Sequence, residues 1–305
     1  MPARTPDPTR PAAMRPALTQ EVIDLYDRYT HAPLDRRDFL RRLAMIAGSV
    51  AAAQALLPLL ENNYARAATV AEDDPRLATE TVTIATAHGD LSLYVVRPAG
   101  AGALPAVVVV HENRGLNPHT RDIARRLALE SYIAIAPDFL SLGGGATPAD
   151  EDRARAMIGA LDAGQVRDAA VAALAYGRGG RPDTTGRTAI TGFCWGGRVA
   201  NDAAVADAAL DAAVPFYGSQ PPAAAASQVR ARLLLHYAGE DQRINAGIRD
   251  WTEALAAAGV AYEMHMYEDA QHAFMNDTNA ARYNADAAAL AWQRTIAFLD
   301  SALKG

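Results

Sequence analysis

The chain has 305 residues, of which 50% are hydrophobic and 21% charged, a balance typical of a globular protein. Its formal net charge of -6 is unevenly spread, because residues 1–67 carry nine basic and seven acidic side chains whereas residues 68–305 carry 20 basic and 28 acidic ones. An acidic body without a basic stripe argues against a nucleic-acid partner, and the single cysteine excludes an intrachain disulfide.

Residues 1–67 form an N-terminal extension with the pattern of an export signal. Arg36 and Arg37 precede an apolar stretch over residues 43–60, and the small-residue triplet Ala-Arg-Ala follows at residues 65–67. The pattern resembles a twin-arginine signal with its cleavage site, and its moderate hydrophobicity does not suit a permanent bilayer span. It predicts export to the periplasm. The alternative is a cytoplasmic protein in which the segment is an uncleaved packing or dimerisation helix.

Residues 68–79 read as a polar, acidic connector, and the domain predicted over residues 80–305 begins with β-rich runs. The runs TVTIATA and LSLYVVRP predict a hairpin, and PAVVVVHE predicts a strand that is buried on both faces of a sheet. Asn117 followed by Pro118 is typical of a helix start. The run YIAIAPDF predicts the next strand.

The remainder of the chain alternates between helical and strand-like segments. Two helical segments reach about residue 176, and the predicted strands that follow are RTAITGF, DAAVPFYG, ARLLLHYAG and AYEMHMYE. Helices are predicted after the first and third of these strands, and a long helix ends near residue 303. This alternation predicts one α/β domain with a mostly parallel, doubly wound sheet and helices on both faces.

Four polar residues follow predicted strands, where ligands bind in an open parallel sheet: Glu112, Cys194, Asp241 and His272. Cys194 lies in the segment GFCWGG, which has the G-x-nucleophile-x-G pattern of a nucleophile elbow. In so tight a turn the neighbours of the nucleophile must lack side chains, and the helix that follows favours a thiolate. A merely buried cysteine does not explain the flanking glycines, and a redox pair has no second cysteine.

His272 and Asp241 are predicted to complete a catalytic triad with Cys194. His272 follows the last predicted strand, and Asp241 directly follows RLLLHY, where it is expected to accept the imidazole N–H. Glu240 is the competing carboxylate. The chain order nucleophile, acid and histidine is that of α/β-hydrolases. The other histidines are expected in strands (His111, His236, His265), in a helical first turn beside a pocket (His119), at the hairpin (His88) or upstream of the domain (His31).

Glu112 ends the run VVVVHE, where an ordinary serine esterase has no use for a carboxylate; a surface acid is the alternative. The segment Glu112-Asn113-Arg114-Gly115 and the G-x-C-x-G-G elbow together resemble the dienelactone hydrolase family, over about residues 80–300. The resemblance implies an α/β-hydrolase fold in which Asp241 and His272 are acid and base. It also implies that Glu112 contacts Cys194 and restrains the thiol until substrate binds.

The same resemblance implies hydrolysis of a small-molecule ester or lactone through an acyl-thioester intermediate. The backbone N–H groups of Asn113 and Trp195 would hold the oxyanion, and neither a metal nor an organic cofactor is expected, since the sequence shows no metal-ligand cluster. Well-known members bind the substrate's carboxylate with arginines, one of them four positions after the histidine, where this chain has Asn276. Arg114, Arg243 and Asn276 are therefore the candidate substrate contacts. An esterase or thioesterase for another acyl group and a non-catalytic binding protein are the alternatives.

Overall fold

The computed structural model describes residues 18–32, 34–64 and 68–305 of the chain. The Ala-Arg-Ala triplet at residues 65–67, predicted as a cleavage site, lies outside the described residues. The chain divides into two compact units. The helical unit comprises Met1–Asn62 with Asn279–Ala281, and the sheet unit comprises Asn63–Thr278 with Arg282–Gly305.

The helical unit contains α1 (Gln20–His31), α2 (Arg36–Ala47) and α3 (Val50–Leu60). Each of the three helices begins at a side chain that accepts a backbone N–H of its first turn: Thr19, Asp35 and Ser49. The apolar stretch predicted over residues 43–60 is therefore two helices rather than one, because the chain turns at Gly48 and Ser49 between them.

These three helices share a small core, and Ala281, from the far end of the chain, packs against it. The core side chains are Val22, Leu25, Tyr26, Tyr29, Phe39, Leu43, Ala53, Leu56 and Leu60. No single helix of the described ranges is long and apolar enough to cross a membrane. The pair α2 and α3 together meets the length and composition, but a bend of 112° separates the two helices.

The sheet unit is built on eight strands: β1 (Leu77–Thr86), β2 (Gly89–Pro98), β3 (Leu104–Val110), β4 (Ile133–Asp138), β5 (Thr184–Phe193), β6 (Ala212–Phe216), β7 (Arg232–Ala238) and β8 (Tyr262–Tyr267). Their order across the sheet is β1-β2-β4-β3-β5-β6-β7-β8. The pairs β1–β2 and β2–β4 are antiparallel, and every later pair is parallel. The predicted mostly parallel sheet that begins with a hairpin is confirmed.

Helices cover both faces of this sheet, as predicted. They are α4 (Pro118–Leu129), α5 (Glu151–Gly159), α6 (Ala163–Gly179), α7 (Trp195–Ala206), α8 (Gln242–Asn245), α9 (Ile248–Ala257) and α10 (Ala285–Leu303). On strand β3, Val107 and Val109 join the core with α4 and α10, whereas Val108 and Val110 join the core with α6, α7 and α9. The continuous apolar run of this strand thus reflects burial on two faces.

The connector predicted over residues 68–79 is fixed at both ends rather than free. Strand β1 already begins at Leu77, and Val70 is buried. The Val70 N–H donates to Asp122 Oδ1 at 2.8 Å, and its carbonyl accepts from Arg125 Nε at 2.8 Å. A polar composition indicates a linker, but one apolar residue with buried charged partners on α4 is enough to anchor the segment.

His236, in the middle of β7, is fully buried with both ring nitrogens engaged. Its Nε2 lies 3.1 Å from Thr295 Oγ1, which itself donates to the Ala291 carbonyl, and its Nδ1 lies 3.0 Å from the Tyr267 hydroxyl. Thr295 must therefore accept from an Nε2–H, and the Tyr267 hydroxyl, which accepts from Arg294, can donate to Nδ1 of the neutral ring. Burial, followed by the charges of His265 and Arg294, holds the pKa of His236 well below its usual value.

We therefore expect acid to destabilise the protein through His236. The unfolded chain binds a proton below about pH 6.5 while the folded state does not, so stability is full above that pH and decreases below it. A His236→Gln variant should lose this pH-dependent part of the stability. The difference in free energy of unfolding between parent and variant should therefore narrow by up to about 1.4 kcal/mol for each pH unit below about pH 6.5. Urea unfolding from about pH 7 to about pH 5 measures it; parallel curves would contradict the assignment.

Candidate active site

The carboxyl ends of the parallel strands bring the predicted site residues to one edge of the sheet. Glu112 lies two residues after β3, Cys194 directly after β5, and Asp241 three residues after β7. His272 lies in the loop between β8 and α10. All four side chains are buried.

Cys194 occupies a turn that side chains rarely tolerate. Its backbone has φ 57° and ψ -114°, and α7 begins at the next residue. A Cβ at position 192 would lie 2.1 Å from the Gly196 carbonyl oxygen, and a Cβ at position 196 would lie 2.5 Å from the carbonyl oxygens of Val110 and His111. The glycines therefore let strand, turn and helix approach each other, and the turn places the thiol at the N-terminus of α7, where a thiolate is favoured.

His272 connects Cys194 with Asp241. Its Nδ1 lies 2.5 Å from Asp241 Oδ2, and one of its ring nitrogens lies within 4.8 Å of Cys194 Sγ. Burial opposes the charged imidazolium, but the charges of Asp241 and Cys194 outweigh it and raise the pKa of His272 to about 10. Because Nδ1 faces the carboxylate, Nε2 is the nitrogen that is left for proton exchange with the thiol. The same thiolate and imidazole are also ligand types for a soft metal ion.

The competing residues lie elsewhere. Glu240 is exposed, and Asp241 is the carboxylate that bonds His272 while its Oδ1 accepts from Ile244 N at the start of α8. His119 is buried in α4 and lies 3.2 Å from Asp277. His111, expected within a strand, comes one residue after β3 ends.

Glu112 is held by a residue that was expected to contact substrate. Asn276 Nδ2 donates to Glu112 Oε2 at 2.7 Å, and Asn276 is completely buried. The amide of Asn276 is thus engaged by Glu112, and its predicted contact with substrate stays a prediction. The other oxygen, Glu112 Oε1, is buried and has no hydrogen-bond partner among the described residues.

The two candidate arginines differ in their surroundings. Arg114 is 5% exposed, and its Nε lies 2.8 Å from Glu151 Oε2 on α5, so its charge is compensated within the protein. Glu151 also accepts from the Tyr64 hydroxyl, to which Asn117 Nδ2 donates at 3.0 Å. Arg243 is exposed on the short helix α8. Arg114 thus ties the loop after β3 to α5.

The loop that carries Asn113 is held by close packing and hydrogen bonds at Thr147. Gly115 has φ 73°, and a Cβ there would lie 2.2 Å from Thr147 Oγ1, which accepts from Leu116 N and donates to Asp138. Trp195, the first residue of α7, has a backbone N–H with no acceptor inside the helix. Both residues predicted to form the oxyanion hole therefore belong to rigid segments.

Three buried residues near the site were missed. His111 Nδ1 donates to the Glu112 carbonyl at 2.6 Å, and its ring stacks on Trp195 with ring centroids 5.2 Å apart. The Tyr217 ring lies 5.1 Å from that of His272, and its pKa is raised well above normal by burial, then by the charges of Glu112 and Cys194. The charge of Arg282 acts on Tyr217 in the opposite direction. Tyr217 directly follows β6, so a search for polar residues at strand ends could have found it. Arg282 does not follow a strand, and no sequence pattern indicates its position.

The strand order, the elbow after β5, and the acid and histidine that follow β7 and β8 define the class as an α/β-hydrolase. Residues 91–303 match the family model described as "Dienelactone hydrolase family", and residues 15–49 match a model described as "YqhI-like". The chain belongs to the dienelactone hydrolase family and is a hydrolase.

Individual relatives agree with this assignment. Two proteins named "Putative carboxymethylenebutenolidase" are similar to this chain. The one from Methylorubrum extorquens is 32% identical and aligns over 84% of this chain and 91% of its own length. The one from Escherichia coli is 34% identical over 73% and 87%. The crystal structure of a "Putative Dienelactone Hydrolase" from Klebsiella pneumoniae is also similar to this chain. It has a TM-score of 0.65 and 31% sequence identity, and the match covers 72% of this chain and 97% of that protein's chain.

The strained turn makes a prediction about stability at position 194. Glycine adopts positive φ without the clash of a Cβ, so we expect Cys194→Gly to be more stable than Cys194→Ala by about 1 kcal/mol. At Ala200, inside α7, the order should reverse, and Ala200→Gly should destabilise by about 1 kcal/mol. Urea unfolding measures both; an alanine variant more stable than the glycine variant at position 194 would contradict the strain.

Proposed function

We propose that the protein hydrolyses small carboxylic esters or lactones with Cys194 as the nucleophile, through an acyl-thioester intermediate. The observation that carries this proposal is the arrangement of Cys194, at the strained start of α7, within 4.8 Å of a His272 nitrogen whose ring is bound to Asp241. A histidine whose imidazolium is stabilised by a carboxylate can keep a neighbouring thiol in the thiolate form.

In the first half-reaction the Cys194 thiolate attacks the carbonyl carbon and forms a C–S bond. The charge that develops on the carbonyl oxygen is stabilised by the backbone N–H groups of Trp195 and Asn113, which lie on rigid segments and need no reorganisation. The tetrahedral intermediate then collapses, the bond to the alkoxy oxygen breaks, and the alkoxide takes the proton from the His272 imidazolium. The product of this step is a thioester on Cys194 and an alcohol, which stays attached to the acyl group if the substrate is a lactone.

In the second half-reaction water hydrolyses the thioester. Neutral His272 takes a proton from water as the oxygen attacks the thioester carbonyl, and Asp241 stabilises the resulting imidazolium and holds its ring in place. Collapse breaks the C–S bond, releases the carboxylic acid and returns Cys194 with His272 to the starting state. The steps conserve atoms and use only side chains of this chain and the same two backbone N–H groups.

Glu112 is the feature that separates this site from an ordinary esterase. Its carboxylate is buried, and the charges of both Glu112 and Cys194 raise the pKa of Tyr217. We assign Glu112 Oε1 as the acceptor of a hydrogen bond from the Cys194 thiol in the resting enzyme, an arrangement that keeps the thiol protonated. When substrate binds, the thiol proton passes to His272 and gives the thiolate and imidazolium with which the first half-reaction begins. The name carboxymethylenebutenolidase, which the relatives carry, supports a small ester or lactone as the substrate.

The proposal predicts the effects of two substitutions in purified full-length protein. Cys194→Ala should abolish hydrolysis of a panel of small esters and lactones, and Asp241→Asn should lower kcat by about a thousandfold because the histidine loses its orientation and its counter-charge. Glu240→Gln, the matched control on the neighbouring exposed carboxylate, should retain kcat within about twofold. Steady-state kinetics measure all three.

The intermediate provides a separate check. Rapid quenching followed by mass spectrometry should find the acyl group on Cys194 in the parent protein. Full hydrolysis by the Cys194→Ala variant would refute the nucleophile, and activity on thioesters alone would redirect the substrate class while keeping the mechanism.

A further inference from the structure

Asn276 lies between Thr278 and Glu112 in an arrangement that fixes the orientation of its amide. Its Oδ1 accepts from the Thr278 N–H at 3.1 Å and from the Thr278 hydroxyl at 2.5 Å. Because a backbone N–H can only donate, the amide oxygen must face Thr278, and the NH2 group must face Glu112 Oε2 at 2.7 Å. The amide therefore donates a hydrogen bond to the buried carboxylate.

This hydrogen bond gives the two oxygens of Glu112 different surroundings. Oε2 is occupied by Asn276, whereas Oε1 is buried without a hydrogen-bond partner in the described part of the chain. A buried carboxylate oxygen without a partner is costly, so Oε1 is available to accept a hydrogen bond from a neighbouring donor. Asn276 itself is completely buried and does not line the space open to substrate.

We propose that Asn276 is a positioning residue that holds Glu112 through Oε2 and thereby presents Oε1 to the Cys194 thiol. The proposal rests on the proposed function, since it assigns Glu112 its orientation within that mechanism. A neutral amide orients the carboxylate but leaves its negative charge in place. Asn276 thus acts on the reaction through Glu112, not through substrate.

Several charged or titratable groups surround this pair and enter its pH dependence. They are His111 and Arg114 on the loop after β3, Cys194 at the elbow, Tyr217 after β6, His272 and Asp277 on the loop of Asn276, and Arg282 before α10. Burial lowers the pKa of His111, and the pKa of Tyr217 is raised, so both are neutral near neutral pH. Of the surrounding groups, Cys194, His272 and Asp277 therefore remain as those whose charge can contribute to the pH dependence of a carboxylate at position 276.

Two variants separate positioning from substrate contact. Asn276→Leu keeps the approximate volume and removes the donor; we expect kcat to fall about tenfold with KM within about twofold, because the group lost acts on the nucleophile. Asn276→Asp replaces the donor with a second carboxylate that shares a proton with Glu112 at low pH and repels it at high pH. The kcat of this variant should approach that of the parent near about pH 5 and fall progressively below it toward about pH 8.

Asn284→Asp is the matched control, because it makes the same change on the same loop. Asn284 Oδ1 caps α10 by accepting from Ala287 N at 3.1 Å, a bond that an aspartate preserves. This control should show the pH profile of the parent. A rise in KM with kcat unchanged in both Asn276 variants would overturn the proposal and make Asn276 a substrate contact, and so would a control that reproduces the pH effect.

A double-mutant cycle tests the proposal without turnover. The rate at which iodoacetamide alkylates Cys194 is measured in the parent, Glu112→Gln, Asn276→Leu and the double variant. If Asn276 acts through Glu112, then Asn276→Leu should change the rate in the same direction as Glu112→Gln and have less than about a third of its effect in the Glu112→Gln background. Additive effects would refute the positioning role. Because alkylation does not require hydrolysis, this experiment can confirm or refute the positioning role even if the protein does not hydrolyse esters or lactones.

A different observation concerns the helical unit, which includes residues from the far end of the chain. Asn279 is completely buried, and its Nδ2 donates to the Leu60 carbonyl at 2.5 Å, while the Ala281 N–H donates to the Leu59 carbonyl at 3.1 Å. Ala281 also packs against the core of α1–α3. The Leu59 and Leu60 carbonyls at the end of α3, which have no N–H donor inside the helix, thus accept hydrogen bonds from this distant segment.

From these contacts we infer that helices α1–α3 are retained in the mature enzyme rather than removed as a signal. Removal of the residues before the cleavage site would take the Leu60 carbonyl away from the buried amide of Asn279 and the α1–α3 core away from Ala281. The segment that would lose its support is the loop that also carries His272. The twin-arginine pair then lies in the first turn of α2, a structural helix.

Intact-mass measurement of active enzyme from the producing cells tests retention. We expect the full chain, with or without the initiator methionine. Active enzyme that begins at or near residue 68 would overturn the inference. In a second experiment a protease site replaces residues 65–67 in the full-length protein. After cleavage, the fragment with α1–α3 should co-elute with the remainder in gel filtration; its release with an unchanged melting temperature would also overturn retention.

Discussion

The turn at Cys194 depends on how closely three backbone segments approach one another. Without side chains at positions 192 and 196, the end of β5, the start of α7 and the end of β3 come within contact distance, and the chain can adopt φ 57°. Such a conformation costs about 1–3 kcal/mol for a residue with a Cβ, and only surrounding structure maintains it. The position of the thiol relative to His272, and the first N–H of α7, both follow from this one turn.

Much of this architecture could be predicted because strand ends are visible in the sequence. Each parallel strand is an apolar run that ends at a polar residue, and the carboxyl ends converge, so Glu112, Cys194, Asp241 and His272 could be placed at one edge without any coordinates. Glycines around Cys194 indicated the candidate nucleophile, and the order of residues along the chain indicated the candidate acid and base. Glu240 and Asp241 were harder to separate, since only the register at the end of β7 decides which carboxylate faces inward.

What could not be predicted concerns side chains whose partners lie far apart in sequence. Asn276 was expected to face substrate, yet its partner is Glu112, 164 positions away. Arg114 was expected to be available and is paired with Glu151 on a helix whose placement no local pattern gives. Likewise, the apolar stretch after Arg37 has the composition of a signal, and only the capping by Ser49 and the distant partner Asn279 identify α3 as part of a folded unit. A periodic pattern of apolar residues indicates that a side chain is buried, but it does not identify the residues that the side chain contacts.

The stack of His111 on Trp195 has an evolutionary consequence. The two rings lie nearly parallel, with an interplanar angle of 7°, and Phe139 contacts both at its edge. The imidazole precedes Glu112 and Asn113, and the indole belongs to the first residue of α7. Because the two rings pack on each other, replacing one of them alone would remove this contact between the loop after β3 and the start of α7. Among related sequences, residues 111 and 195 should therefore vary as a pair, with aromatic partners exchanged together or kept together.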